Sequence, residues 1–474
     1  MTSIAQTQVL ADRPHAVAEE RLALWSKRLI ALSVVAWLYG LFQGFDKALP
    51  ILFVVGLTLA VRGLKDPALG LMGVGILATI DAPARFYMLS GGLLRWNTFN
   101  YWLLIVIVLN VRFLLRLRDL QTRLLELFTL LLLLQFAVTP DFVNGAQHIL
   151  GLISVYGLLV YFVRALVVYE NILEPVGLVN GVVAAMGGLV FYTQIRDLPY
   201  INPNAFSHYP LMGLFSVAVV LELRKQMTPT KSNLLYYLLL AINFVWVFLS
   251  GSRGGTLIAA TGVTLVWLSY RPLSAKGFVR SLSLLVIGSL LFLGLASQFT
   301  DLQQRTIERF EKAFDTSLTL KSRTSGRSEL AKGGIEIFKQ HPLGVGTGAF
   351  THYWTTLDAE KLGLLISTER QLAAHSGWIK VLAENGILGI TLFALFTVSF
   401  TIQGWHCRKE GLFSIGLMTT VVLAVALIST EFQSKLLWFV SANAMALLHR
   451  GQMIADWQGT VQRLPVSVSR PWTG

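Results

Sequence analysis

The chain has 474 residues, of which 54% are apolar and 14% charged, with a mean hydropathy of +0.61. That balance excludes a soluble globule and a disordered polymer and makes the lipid bilayer the natural solvent. The 39 Lys and Arg against 26 Asp and Glu give a formal net charge of +13; in a soluble protein this would point to nucleic acid, but its placement along the chain points elsewhere.

Taken in chain order, residues 1–28 are polar and mixed in charge, without the short apolar core and small-residue cleavage site of a removable signal peptide. They read as a cytoplasmic segment, with the first span as insertion signal. Apolar runs then recur, as at 149–163, 176–191, 234–249, 256–268, 281–296, 387–400 and 412–428. Several approach the roughly 20 residues that cross a hydrocarbon core. The predicted spans begin near Leu29, Leu49, Ala68, Asn97, Thr122, Gln147, Pro175, Ala205, Ser232, Gly254, Gly277, Ser376, Leu412 and Gln433. The fold class is therefore an all-α polytopic membrane protein with about 12–14 transmembrane helices. The lower number applies if early segments are re-entrant or interfacial.

From an inside N-terminus, alternate loops carry Arg62 and Lys65, then Arg112, Arg116, Arg118 and Arg123, then Arg164, then Arg224, Lys225 and Lys231, then Arg271, Lys276 and Arg280, then Arg408 and Lys409. The intervening loops carry few basic residues: Lys47, Arg85, Arg95, Arg196 and Arg253. This is the positive-inside bias, so most of the excess charge encodes topology, and no nucleic-acid partner is expected.

The division that follows is 1–28 cytoplasmic, 29–298 the first eleven spans, 299–375 a large periplasmic loop, 376–450 the last spans, and 451–474 a cytoplasmic tail. The loop reads as partly helical. Residues 302–314 and 328–340 have amphipathic spacing, His341-Pro342 ends the second helix, and Gly344-Val345-Gly346-Thr347-Gly348 forms a turn. A loop of this length is usually functional or disordered, and its helical periodicity favours an ordered cap.

Ionisable groups near membrane depth are default candidates for function. Four regions qualify, all on the outer side of this topology: Arg196, Arg253, Arg327 with His375, and Glu431. Arg253 stands in Ser250-Gly251-Ser252-Arg253-Gly254-Gly255, where small neighbours let a large anion approach both the guanidinium and a helix N-terminus. A snorkelling arginine marking the membrane boundary is the plainer reading. His375 opens a helix at the junction of loop and membrane, beside small Ser376 and Gly377, where imidazole is able to accept a proton near neutral pH.

Glu384, nine residues on, falls on the opposite helix face and is assigned a structural role with Lys380 as partner. The Gly344-x-Gly346-x-Gly348 run has no preceding strand, so it is not a dinucleotide loop. The lone Cys407 allows neither an intramolecular disulfide nor a cysteine metal cluster. There is no His-Glu-x-x-His pair and no carboxylate cluster, so no metal and no cofactor is expected.

Together these residues resemble the O-antigen ligase and polymerase superfamily. The resemblance rests on Ser252-Arg253-Gly254, Gly326-Arg327, His341-Pro342-Leu343-Gly344-Val345-Gly346-Thr347-Gly348, His375-Ser376-x-Trp378 and Ala383-Glu384-Asn385-Gly386-Ile387-Leu388-Gly389, in the family's order and around the family's large outer loop. It implies metal-independent, inverting transfer of a glycan from undecaprenyl diphosphate at the periplasmic face of a bacterial inner membrane. Lipid A core or another glycan would be the acceptor. Carried over, Arg253 and Arg327 hold the donor diphosphate, Arg196 is a further anion contact, and His375 is the base that activates the acceptor hydroxyl. Family members commonly carry Asn after the histidine, where this chain has Ser376. Readings that remain open are a repeat-unit polymerase or a protein-glycosylating member of the same superfamily and, from a different class, a solute transporter, although the candidate groups here gather at one face rather than at the midplane.

Overall fold

In hydrocarbon every main-chain N–H and C=O must be satisfied within the protein, which an apolar helix does by itself. The computed structural model of the chain describes residues 2–87, 98–168, 172–194, 203–224, 233–269, 308–324, 326–358, 360–364, 374–429 and 435–463. It is an all-α polytopic membrane protein, with no strand among the described residues.

The helices are α1 (Thr2–Gln43), α2 (Phe45–Arg62), α3 (Pro67–Tyr87), α4 (Thr98–Leu109), α5 (Val111–Leu114), α6 (Leu120–Phe136), α7 (Phe142–Val168), α8 (Leu173–Gln194), α9 (Pro203–Arg224), α10 (Leu234–Leu249) and α11 (Arg253–Ser269). After them come α12 (Glu308–Phe314), α13 (Leu320–Thr324), α14 (Arg327–Gln340), α15 (Phe350–Trp354), α16 (Gly377–His406), α17 (Phe413–Ser429) and α18 (Lys435–Arg463). Five segments are long and apolar enough to cross a bilayer: Glu20–Gln43, Phe142–Leu166, Leu173–Val190, Phe206–Arg224 and Gly377–His406. Pro67–Ile80, Leu234–Leu249 and Phe413–Ile428 are shorter apolar helices. Each span expected from the sequence has a helix at its position except the one near Gly277, which lies outside the described residues. Helix α1 runs unbroken through the boundary expected at residue 28, and α18 through the one at 450.

Packing among the spans depends on small residues and on hydrogen bonds between helices, since lipid offers no hydrophobic incentive for helices to associate. A methyl group on Gly416 of α17 would lie 2.2 Å from the Phe400 carbonyl of α16, so those backbones touch directly. In the buried interior the Asn180 amide donates to Ser216 Oγ at 3.2 Å, and Asn243 donates to the Gly181 carbonyl at 3.1 Å, tying α8 to α9 and α10. The Phe128 and Phe393 rings stack at 5.1 Å between α6 and α16. Apolar side chains such as Val138, Phe142, Leu234, Leu257 and Leu395 are exposed, as a lipid-facing surface requires.

A second, smaller core lies apart from the main one. Leu330 and Ile337 of α14, Val345, Ala349, Phe350 and Trp354, Leu357, and Ala374 and Ala383 beside or within α16 are all buried together. This core holds the large loop in a folded lobe that lies directly on the first half of α16. The expected amphipathic helix at 328–340 is α14, which His341 terminates, and α12 falls within the expected 302–314.

Candidate functional site

Where α10 turns into α11, Gly251 adopts a φ of 69° and Ser252 caps the new helix by accepting from the Gly255 amide at 3.0 Å. The third residue of the turn therefore becomes the first of α11, and that residue is Arg253. Its half-buried guanidinium donates through Nη1 to the main-chain carbonyl of Arg323, in the short helix α13 of the lobe. Arg323 is itself held by Nε donating to the Ala313 carbonyl at 3.1 Å.

Gly326, with a φ of 80°, then reverses the chain into α14, whose first residue is Arg327. Gly326 offers α14 no side-chain cap, and Thr324 takes that part instead: its hydroxyl accepts from the Ser328 amide at 3.2 Å and contacts the Ser328 hydroxyl at 2.9 Å. Arg327 is half-buried, and its guanidinium is held below its ordinary proton affinity first by burial and then by the positive charge of Arg253. Two sequence-distant arginines are thus near enough for the charge of one to act on the other, at a helix start whose dipole also favours an anion.

His375 stands at the junction of lobe and membrane, immediately before Ser376, the N-cap of α16. It is exposed, and its φ of 52° makes it the one non-glycine with positive φ among the described residues. A left-handed backbone at a non-glycine residue costs on the order of 1 kcal/mol and is found preferentially at functional sites. Ser376 does not cap its helix. Its hydroxyl donates to the Leu427 carbonyl at 3.1 Å, one of the last four of α17, and Trp378 Nε1 donates to the Ala424 carbonyl at 3.0 Å, so the backbone around His375 is tied to the end of α17. One turn further, Ile379 packs against Gly334 of α14, two turns beyond Arg327. The arginines are linked through the bond from Arg253 to the Arg323 carbonyl, and His375 is joined to Arg327 through α14.

The glycine run forms a clip. Gly344, Gly346 and Gly348 have φ values of 92°, 103° and 84°, and the Gly346 amide donates to the Glu384 carbonyl at 3.0 Å. Opposite them Gly386, with φ 62° and ψ −158°, breaks α16 into 377–385 and 387–406, and the Ile387 amide donates to the Pro342 carbonyl at 3.0 Å. Gln135 of α6 closes the knot, donating to the Leu343 carbonyl at 2.8 Å and accepting from Asn385 Nδ2 at 2.6 Å.

Glu384 is wholly buried at the centre of this knot. It accepts from the Gly348 amide at 3.0 Å and the Phe350 amide at 3.2 Å, and His148 Nδ1 of α7 lies 3.2 Å from it. The structural role expected for Glu384 is realised, with these groups as its close partners beside the more general charge of Lys380. The motif is a backbone clasp rather than a phosphate loop.

Arg196 lies outside the described residues, as does Glu431. Sequence reasoning passed over His148 and Gln135. The signal was available: a histidine inside an apolar span at 142–166 is itself an intramembrane ionisable group. Among the described residues no group of three or more His, Cys, Asp or Glu side chains is placed to hold a metal ion.

A comparison with curated proteins gives no match. The family model described as O-antigen ligase matches residues 238–394, a stretch that begins within α10, ends within α16 and contains Arg253, Arg327, His375 and Glu384. Over that segment the chain is similar to the O-antigen ligase family, a likeness that supports a glycosyltransferase of the ligase or polymerase kind in general.

Proposed function

We propose that the protein transfers a glycan from undecaprenyl diphosphate to a sugar hydroxyl of lipid A core at the periplasmic face of a bacterial inner membrane. The observation that carries this reading is that Arg253 bonds to the Arg323 carbonyl, four residues before Arg327, so that two cationic side chains serve the same end of the lobe, where an anionic ligand would be stabilised. The acceptor oxygen attacks the anomeric carbon from the side opposite the diphosphate, and its proton passes to the His375 imidazole. The bond from carbon to the diphosphate oxygen breaks, its electron pair leaves with the diphosphate, and configuration inverts. The departing charge is assigned to Arg253 and Arg327, so the leaving group needs neither an acid nor a metal ion. Arg196 is assigned as a further anion contact. On the positive-inside bias, residues 1–28 and 451–474 are assigned to the cytoplasm and 299–375 to the outside.

Gene deletion followed by gel analysis of surface glycans tests the assignment. Lipid-linked polymer left unligated is the expected outcome. Single unpolymerised repeats would instead make the protein a polymerase of the same superfamily, and unchanged glycans would remove both.

A further inference from the structure

We infer that His148 of α7, outside the segment that carries the family match, is a positioning residue: with Glu384 it locks the lobe to the membrane core and so sets where Arg327 and His375 stand relative to Arg253. This rests on the reading of those three residues as the site. The contacts run in both directions from the pair. Leu152, one turn along α7 from His148, is fully buried in the main core, and on the other side of His148, Gly145 touches the lobe so closely that a methyl on Gly348 would lie 2.3 Å from its amide nitrogen. Glu384 sits on the 377–385 segment that begins directly after His375 and Ser376, and it accepts from the amide of Phe350. Phe350 belongs to the lobe's own core, as does Leu330 of α14, one turn after Arg327.

A carboxylate with no exposure must be matched on every side, because breaking one partner away leaves an uncompensated buried charge. Two of its partners are main-chain amides of the lobe and the third is a side chain of the membrane core. Removing the third leaves the Gln135 bonds and the Gly145 contact but takes away the side chain that matches the buried charge where lobe and membrane core meet. A misplacement of reacting groups by 1 Å costs on the order of 10²-fold in rate, so a small drift of the lobe is enough to be seen.

The test uses the full chain with Cys407→Ala, carrying spin labels at Lys339→Cys in the lobe and Leu257→Cys in α11, both exposed positions, and compares the inter-label distance distribution with kcat and donor KM. His148→Leu is expected to shift or broaden the distribution and to lower kcat by roughly 10- to 100-fold. His148→Asn, whose amide reaches the place of Nδ1, is expected to restore both. Should His148→Leu not fold, His148→Gln replaces it, because its amide reaches past that place and the same displacement is expected. An unchanged distribution and turnover in the Leu or Gln variant, or a folded His148→Asn with the lobe still displaced, would overturn the proposal. The distances need no substrate. If they respond as expected while the wild type transfers no glycan, the proposed function fails and the positioning role stands.

Discussion

Arg253 at the start of α11 and Arg323 in the lobe are linked by a hydrogen bond from the guanidinium of one to the main-chain carbonyl of the other. One edge of the Arg253 guanidinium is thereby spent on holding the lobe, and its plane is fixed before any ligand arrives. A lysine keeps the charge but has neither the plane nor the second set of donors. Arg253→Lys is expected to lower glycan transfer roughly 10- to 100-fold, the value of a lost hydrogen bond to a charged group. Transfer at the wild-type rate by the folded variant would reduce Arg253 to a marker of the membrane boundary.

Arg327 exchanges stability for function. Burial and Arg253 lower its proton affinity in the folded state. For a cationic group the sign is unfavourable: at every pH below the lowered value the folded protein carries a charge that the unfolded chain tolerates better, and the penalty fades only as pH rises through that value. Arg327→Met is therefore expected to unfold at a temperature equal to or above that of the wild type while donor KM rises. Thermal unfolding in detergent and donor titration measure the two effects separately, and a clear fall in unfolding temperature would contradict this account.

The clip makes Gly386 irreplaceable. Its φ is 62°, and a methyl group there would lie 2.3 Å from the Leu343 carbonyl carbon, a main-chain atom that cannot turn aside. Gly386→Ala is expected to destabilise the lobe by about 2 kcal/mol or more, the left-handed backbone and the clash adding together. Faster cleavage within 308–364 by a soluble protease, with the spans intact, is the measurement.

The proposed topology puts Lys339 and Arg253 outside and Arg116 inside. In a Cys407→Ala background, a membrane-impermeant maleimide added to intact cells is expected to label Lys339→Cys and to spare Arg116→Cys. The reverse pattern would invert the whole arrangement and with it the periplasmic site.

The helices of the membrane part were legible because hydrophobicity over a bilayer's thickness is a local property, and some starts followed from it, such as Ala68 against an observed Pro67, while others did not, such as Gln147 against Phe142 and Leu29 against an α1 that begins at Thr2. Arg253 and His375 stood out as candidates for a related reason: each is an ionisable group at the edge of an apolar run. The clip was not. Gly386 continues an apolar helical pattern, and only its contact with Pro342 and Leu343 shows that the helix breaks there. His148 and Gln135 act through partners far along the chain, at Glu384 and Asn385, and no local pattern records such a pairing. The bond from Arg253 to the Arg323 carbonyl belongs to the same class, and the assignment of Arg253 and Arg327 to one ligand came from the family resemblance and remains a proposal.

The central claim is that His375 takes the proton of the attacking hydroxyl, and purified, folded His375→Ala assayed for in vitro transfer, with donor binding measured alongside, tests it most directly. General base catalysis contributes about 10²- to 10⁴-fold, so turnover is expected to fall by that order while donor affinity stays near the wild-type value. The same variant relieves a strained left-handed backbone only slightly, so its stability is expected to change little. Near-normal turnover by the folded variant would contradict the account, and loss of donor binding with unchanged turnover at saturation would move His375 from the acceptor to the diphosphate.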